Sequence, residues 1–472
     1  MMNASNYIGH SGYTIYKECL SEVDKKFIRD SLMVSPYKHN SPIKITYPVF
    51  LESKNKFYIP KYFGIEHFGE PDEYTFSTEE KINLSFMGEL YNYQKPIVDA
   101  FMKTIRENYG GGLLDIPCGY GKTAMALYIL SRLNVKTLVI VHKGFLLNQW
   151  KERIAEFLPN ARIGTIQRKI VDIENKDIVI GMVQSLSMKE YKKDMFNGFG
   201  LTIVDECHRI SSKVFSRSLN KIVTKYTLGL SATMDRKDGL TYVFKMFLGD
   251  VVYSVDREKE DLVVVKAIEY KSNDFEFEKV VLDHKGNPMF STMITKICEY
   301  NHRTEFILTT LTKELNAFPN QQVMILGQNK SILTYIHDAI VHRNIASVGY
   351  YVGGMKEIHL KESEKKTVIV ATYAMASEGL DIKTLTTLML ITPRTDITQS
   401  VGRILRVKHE RPLIIDFVDT HDMFRRQYKK RLSFYRSNNY TILESDNYRY
   451  VNDAWNDISK SRKKESKCLI RI

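Results

Sequence analysis

Two stretches of the chain hold residues whose types and spacing could do chemistry. "VDECHRI", at 204–210, sets Asp205 and Glu206 beside Cys207 and His208. Asp, Glu, Cys and His are the usual metal ligands, and Cys with His is a usual nucleophile pair. The same letters also suit a phosphate-hydrolysing site that meets its metal through a bound nucleotide. The second stretch, "LLDIPCGYGKTAMALYIL" at 113–130, ends an apolar run, turns through glycines and opens an apolar-periodic helix at Thr123. Gly119 and Gly121 leave room for backbone amides to reach phosphate oxygens, which a side chain would block. Lys122 offers a point charge to the β- and γ-phosphates, and the Thr123 hydroxyl can ligate Mg²⁺. Pro117, Cys118, Gly119, Tyr120 and Gly121 form the expected cradle for ATP. The strict pattern G-x-x-x-x-G-K-[ST] fails at its first place, where Ile116 stands, and the strand–loop–helix context compensates.

A phosphate loop decides how the acids are read. "LTIVDECH" is an apolar strand ending in acids, at the edge where open α/β sheets bind ligands. Asp205 is expected to hold the Mg²⁺ that bridges the phosphates, and Glu206 to orient and deprotonate the attacking water. A dedicated zinc site is disfavoured because no further ligand pair lies at suitable spacing. Cys207 then reads as a small spacer and His208 as a sensor of the nucleotide.

These loops need rigid elements behind them. Short β-branched runs alternate with helical patterns twice: "GLLDIP", "TLVIVH", "DIVIGMV", "LTIVDE" and "YTLGLSAT", then "QQVMILG", "ASVGYYVGG", "TVIVATY", "TTLMLIT" and "PLIIDFVD". Near-continuous apolar strands separated by helices indicate parallel sheets covered on both faces. The expected fold class is α/β, with two such domains in tandem at 85–255 and 295–420. Residues 1–84, rich in Tyr, Phe, Lys and Pro, read as a small β-containing accessory module. The charged stretch 256–294 reads as a connector, and 421–472 as a basic helical extension.

Composition sets outer bounds. A chain of 472 residues, 43% apolar and 26% charged, holds roughly three globular domains. A formal charge of +13 favours a polyanionic partner. Five scattered cysteines without a C-x-x-C pair support neither a disulfide framework nor a zinc finger, and a reducing compartment follows as the simpler expectation. The opening lacks a basic start followed by an apolar run, and no apolar stretch approaches the ~18 residues of a spanning helix. A cytoplasmic protein without membrane contact is expected.

The phosphate loop, "DECH", "SAT" and "QSVGRILR", in this order, resemble motifs I, II, III and VI of superfamily 2 DExH-box helicases, and "ATYAMASEGLDI" resembles motif V. "LYNYQ", "LVIVHKGFLLNQW", "LGLSATMDRKDG" and "IIDFVD" look like the XPB-like and UvsW-like group. Within it the likeness is strongest to helicases of large cytoplasmic DNA viruses, which include the poxvirus transcript-release helicase. The resemblance covers 90–419 and implies two RecA-like domains and an ATP hydrolase. It implies that Gln94 reads the adenine edge; where relatives often carry arginine, Tyr91 offers a ring for stacking. It implies that Ser231 and Thr233 couple nucleotide state to strand movement, together with His208. Gly379 and Asp381 would touch the nucleotide from the second domain, and Gln399, Arg403 and Arg406 would close over the γ-phosphate, with Arg406 as arginine finger.

Nucleic-acid contacts are expected on the rim opposite the phosphate site, by analogy at Lys143, Gln184, Ser185, Gly353 and Thr372, where hydroxyls and backbone amides suit phosphates without reading bases. In "FRRQYKKRLSFYR", Phe424, Tyr428, Leu432 and Tyr435 share one helical face, which reads as a packed helix with a solvated basic side; a duplex- or RNA-tracking patch is the rival. The function implied is an ATP-dependent helicase or translocase, on DNA and 3′ to 5′, working as a monomer in viral transcription or DNA metabolism, in the cytoplasm, a virus factory or the virion. RNA or a hybrid is a further candidate track. The alternative is a non-unwinding ATPase that releases transcripts with RNA polymerase. A binding module with a vestigial ATPase is disfavoured by intact Lys122, Glu206 and Arg406.

Overall fold

The computed structural model describes residues 5–37, 45–75, 79–107, 110–117, 119–192, 194–210, 212–232, 239–255, 263–378, 382–404 and 409–459. The chain divides into two units, Met1–Asp256 and Arg257–Ile472.

The first unit opens with β1 (Asn6–Gly9), β2 (Gly12–Tyr16), β3 (Met33–Val34), β4 (Tyr47–Pro48), β5 (Leu51–Glu52), β6 (Lys56–Ile59) and β7 (Glu73–Tyr74). β3 and β4 pair alone; the others form a sheet in the order β5-β6-β2-β1-β7. This module is seated on the rest of its unit. Its helix Lys61–Phe68 packs on helix Thr241–Leu248. The Tyr62 hydroxyl bonds Thr227 Oγ1 at 3.0 Å. Lys61, 4% exposed, donates from Nζ to the Lys225 carbonyl at 2.9 Å.

The large sheet of this unit is built from β8 (Gly111–Asp115), β9 (Thr137–Val141), β10 (Ile163–Gln167), β11 (Ile170–Asp172), β12 (Ile178–Met182), β13 (Leu201–Asp205), β14 (Tyr226–Ser231) and β15 (Val251–Ser254), in the order β11-β10-β12-β9-β13-β14-β8-β15. Every pair is parallel except β10-β11. All five residues of "TLVIV" and of "LTIVD" are buried. Leu138 and Ile140 face one core while Val139 and Val141 face the other. Two buried faces are why these strands are continuously apolar. Helix Lys95–Glu107 is covered on one side only, burying Ile97, Val98, Phe101 and Ile105 at helical spacing.

The second unit repeats the plan with β16 (Val264–Tyr270), β17 (Gln322–Gly327), β18 (Val348–Tyr351), β19 (Val368–Thr372), β20 (Leu385–Leu390), β21 (Leu413–Asp419), β22 (Thr441–Asp446) and β23 (Asn456–Asp457), ordered β18-β19-β17-β20-β21-β16-β22-β23. Only the β22-β23 pair is antiparallel.

Two expected boundaries are corrected here. The stretch 256–294 is more than a connector: β16 lies between β21 and β22, paired over its full length with Leu413–Asp419. Val265 and Ala267 enter one core and Ile268 and Tyr270 the other. Charged flanks on both sides hide a strand that both faces bury. Of the stretch 421–472, the described part, 421–459, is likewise no appendage. Its helix Asp422–Ser437 buries Phe424, Tyr428, Arg431 and Tyr435, leaves Arg425, Arg426, Lys429 and Lys430 exposed, and is followed by β22 of the same sheet.

Candidate nucleotide and nucleic-acid sites

β13, β14 and β8 are parallel neighbours, so their carboxyl ends deliver three chemically different segments to one edge. β8 runs into the glycine loop, β13 ends in the acids and β14 ends at Ser231. The Ile116 amide donates to the Ser231 carbonyl at 2.8 Å, fastening the start of the loop to its neighbour. Gly119 and Gly121 have φ of +91° and +77°, a region that a Cβ disfavours. Gly121 has a second reason to be glycine: a Cβ there would stand 2.4 Å from Gln94 Nε2. Gln94 is 2% exposed, and its amide braces the loop. Its Nε2 donates to the Tyr120 carbonyl at 2.8 Å and its Oε1 accepts from the Tyr91 amide at 3.0 Å. Above it the exposed rings of Tyr91 and Tyr93 stack at 5.6 Å, and Tyr93 meets Tyr120 edge-on. Pro117 lies in the loop, and Thr123 is the second residue of helix Lys122–Leu133, whose first amides have no partner within the helix.

Lys122 Nζ lies 3.2 Å from Glu206 Oε1. Glu206 has φ +49°, a left-handed conformation that costs a non-glycine residue ~1–3 kcal/mol and recurs where chemistry dictates side-chain direction. The other Glu206 oxygen is 3.4 Å from His208 Nδ1, and that nitrogen is 2.8 Å from Ser231 Oγ. Lys122, Glu206, His208 and Ser231 therefore form one line of polar contacts from the glycine loop to the end of β14.

Asp205 is 7% exposed, and its Oδ2 accepts from Trp150 Nε1 at 2.8 Å. Burial pushes the Asp205 carboxyl up to about 6, the Glu206 charge adds to that, and the Trp150 bond and Lys122 pull the other way. The Cys207 thiol is pushed up to about 12, chiefly by burial, so it is no thiolate nucleophile at neutral pH. Among the described residues no group of three or more His, Cys, Asp or Glu could hold a metal ion. Cys118, Thr233, Gly379, Asp381 and Arg406 lie outside the described residues. Gln399 and Arg403 fall on helix Thr398–Ile404, described for its backbone.

The profile of the res subunit of type III restriction enzymes matches residues 87–236, the stretch that builds this edge. "Putative ATP-dependent RNA helicase L396" of Acanthamoeba polyphaga mimivirus is 36% identical over 477 residues, covering 96% of this chain and 90% of that protein. The chain belongs to this family of viral superfamily 2 helicases. "Putative ATP-dependent RNA helicase QP509L" of African swine fever virus (isolate Pig/Kenya/KEN-50/1950) is 26% identical, covering 75% of this chain and 74% of that protein. "Putative helicase 161L" of Invertebrate iridescent virus 6 is 25% identical over 75% of this chain and 82% of its own length. Among solved structures, T4 UvsW aligns over 94% of this chain and 100% of its own at 19% identity, with a TM-score of 0.37. The protein is thus an ATP hydrolase, an ATP-dependent helicase whose partner is nucleic acid.

The first-unit residues expected on an opposite rim stand elsewhere. Lys143 follows β9, and Gln184 and Ser185 follow β12; both strands are parallel to β13, so these residues share the edge of the acids. What separates them from the glycine loop is sideways distance. β12 and β8 are four strands apart in the sheet, about 19 Å at ~4.8 Å per strand. Lys143 is the residue before helix Gly144–Phe157. Gln184 Nε2 donates to the His142 carbonyl at 2.9 Å, tying the end of β9 to that of β12. Ser185 Oγ accepts from the Arg168 amide at 2.8 Å. In the second unit Gly353 stands in open space just past β18. Thr372 ends β19, and its Oγ1 accepts from the Met375 amide at 3.4 Å. Trp150 is the site residue that sequence reasoning missed. Its signal was present in "LLNQW", because an indole is a donor only and, once buried, needs an acceptor.

Proposed function

We propose that the helicase couples ATP hydrolysis at Lys122, Asp205 and Glu206 to movement 3′ to 5′ along DNA. The observation that carries this reading is the contact line Lys122–Glu206–His208–Ser231. Before nucleotide arrives, the Lys122 ammonium pairs with Glu206. Triphosphate draws Lys122 to its β- and γ-oxygens, leaving the Glu206 carboxylate to accept the proton of an attacking water. His208 and Ser231 then register the change in Glu206 and pass it to the end of β14. The residues at hand suit a hard cation: the Thr123 hydroxyl and the Asp205 carboxylate are oxygen donors beside the phosphate loop. Mg²⁺ there would offset phosphate charge. Gln399, Arg403 and Arg406 are proposed as the γ-phosphate sensors, with Gly379 and Asp381 touching the nucleotide and the Tyr91–Tyr93 rings stacking on its base. Lys143, Gln184, Ser185, Gly353 and Thr372 are proposed to meet the sugar–phosphate backbone of the track.

DNA is favoured by the likeness of the motifs to XPB-like and UvsW-like enzymes. A second reading has its own support: the mimiviral and African swine fever virus relatives carry the words RNA helicase in their names. In that reading the motor works on RNA or a hybrid, releasing transcripts beside RNA polymerase. Either function is proposed for a monomer in the cytoplasm, a virus factory or the virion. Steady-state ATPase measured with single-stranded DNA, duplex DNA, branched DNA and RNA separates the two, together with strand displacement on 3′- and 5′-tailed duplexes. Stimulation by RNA alone would sink the DNA reading. Robust unwinding of naked DNA duplex without a partner would sink transcript release.

A further inference from the structure

The segment between β20 and helix Thr398–Ile404 has no regular structure from Ile391 to Ile397. Its carbonyls are nevertheless claimed by three buried side chains from three different elements. Arg303, on helix Asn301–Ala317, donates from Nη2 to the Ile391 carbonyl at 2.8 Å. Tyr373, at the start of helix Tyr373–Glu378, donates its hydroxyl to the Thr392 carbonyl at 2.7 Å. Arg431, on helix Asp422–Ser437, donates from Nη1 to the Arg394 carbonyl at 2.5 Å. The Thr392 hydroxyl accepts from the Gln328 amide at 2.9 Å.

Both arginines are pinned in turn by an aspartate of β21. Arg303 grips Asp419 through Nε and Nη2 at 2.5 and 2.9 Å. Arg431 grips Asp416 through Nε and Nη2 at 2.8 and 2.9 Å, and the Tyr435 hydroxyl donates to the same carboxylate at 2.8 Å. Asp416 and Asp419 are fully buried, Arg303 is too, and Arg431 is 2% exposed. Three residues apart on a strand, the two aspartates point to opposite faces of the sheet. The two pairs thus hold the segment from either side. Burying two ion pairs is an expensive way to build a core, since apolar side chains of like volume serve stability as well or better. What apolar side chains could not do is hold the Ile391 and Arg394 carbonyls at fixed positions.

We propose that Arg303 and Arg431, each locked by its β21 aspartate, are positioning residues for the helix that carries Gln399 and Arg403, and that helix Asp422–Ser437 is therefore required for ATP turnover. The proposal rests on the reading of Gln399, Arg403 and Arg406 as γ-phosphate sensors. Neither Arg303 nor Arg431 touches nucleotide in it; they set the direction of the arm. An error of about 1 Å in such an arm is enough to cost on the order of 10²-fold in rate.

The test uses full-length protein. R431K keeps a buried cation beside Asp416 but cannot span the carboxylate and the Arg394 carbonyl together. D416L/R431M replaces the pair with apolar side chains, so that no buried charge is stranded. Expected for both are an unchanged affinity for a fluorescent ATP analogue, an unchanged KM for ATP and a kcat lowered roughly 10- to 100-fold. R303K and D419L/R303M repeat the measurement on the other face, should the first double variant fail to fold. If any of these variants folds with native circular dichroism and melting and retains kcat within twofold, the clamp proposal is overturned. R403A and R406A, measured alongside, report on the underlying reading. If both turn over ATP normally, the sensor assignment fails by itself; if both are dead while R431K is fully active, only the clamp fails.

Discussion

At the residue scale, the decisive feature is the direct pairing of a lysine with an acid at the nucleotide edge. Lys122 Nζ meets the Glu206 carboxylate at 3.2 Å. Substitution K122A is expected to cut ATP turnover by ~10³-fold, the scale of losing one preorganised charge in a catalytic site. Its melting temperature should stay near that of the unaltered protein, because Glu206 keeps His208 within reach. Trp150 predicts a different signature. W150F removes the donor to a buried carboxylate, which costs ~1–3 kcal/mol. A lower melting temperature, with a raised Mg²⁺ requirement in the ATPase assay, is the expected outcome. Unchanged values of both would show that the indole bond does not orient Asp205.

At the scale of elements, the strand ends matter more than the strands. Parallel neighbours β8, β14 and β13 bring the phosphate loop, Ser231 and the acids into register because each ladder starts and stops at nearly the same level. His208 bridges two of these ends, and its contact with Ser231 joins the hydrolysis residues to β14. H208A should therefore keep ATP hydrolysis within about tenfold while losing far more in strand displacement or translocation, a coupling loss of the order of 1–3 kcal/mol. Parallel loss of both rates would make His208 part of the hydrolysis step instead.

At the scale of the whole molecule, the N-terminal module is tied into the first unit through a buried amine. Burial, with Lys225 nearby, lowers the Lys61 ammonium to about 7. Below that pH both folded and unfolded chains hold the proton, and the folded one bears the cost of a buried charge. Between about 7 and the ordinary lysine range only the unfolded chain holds it, so raising the pH stabilises the fold, by up to about 1.4 kcal/mol per pH unit. K61M should remove that slope. Chemical denaturation of both proteins at pH 7, 8 and 9 checks this, and identical slopes would refute it.

The alternation of apolar runs and helical patterns determined the two parallel sheets, because a strand buried on both faces must be apolar throughout. The glycine loop and the "DECH" turn were legible for the same reason: each is a local segment following its own strand. Other features depended on residues far apart in sequence. β16 was hidden because its neighbours in the chain are charged, whereas its neighbours in space, β21 and β22, lie more than 140 residues away. Gln94 beneath Tyr120, Trp150 on Asp205 and Arg431 on Asp416 are side-chain pairings that no spacing rule encodes. Sequence periodicity sets which way a side chain faces; only the folded chain decides what it meets there, because the partner of a buried polar group is whichever segment the sheet order carries alongside it.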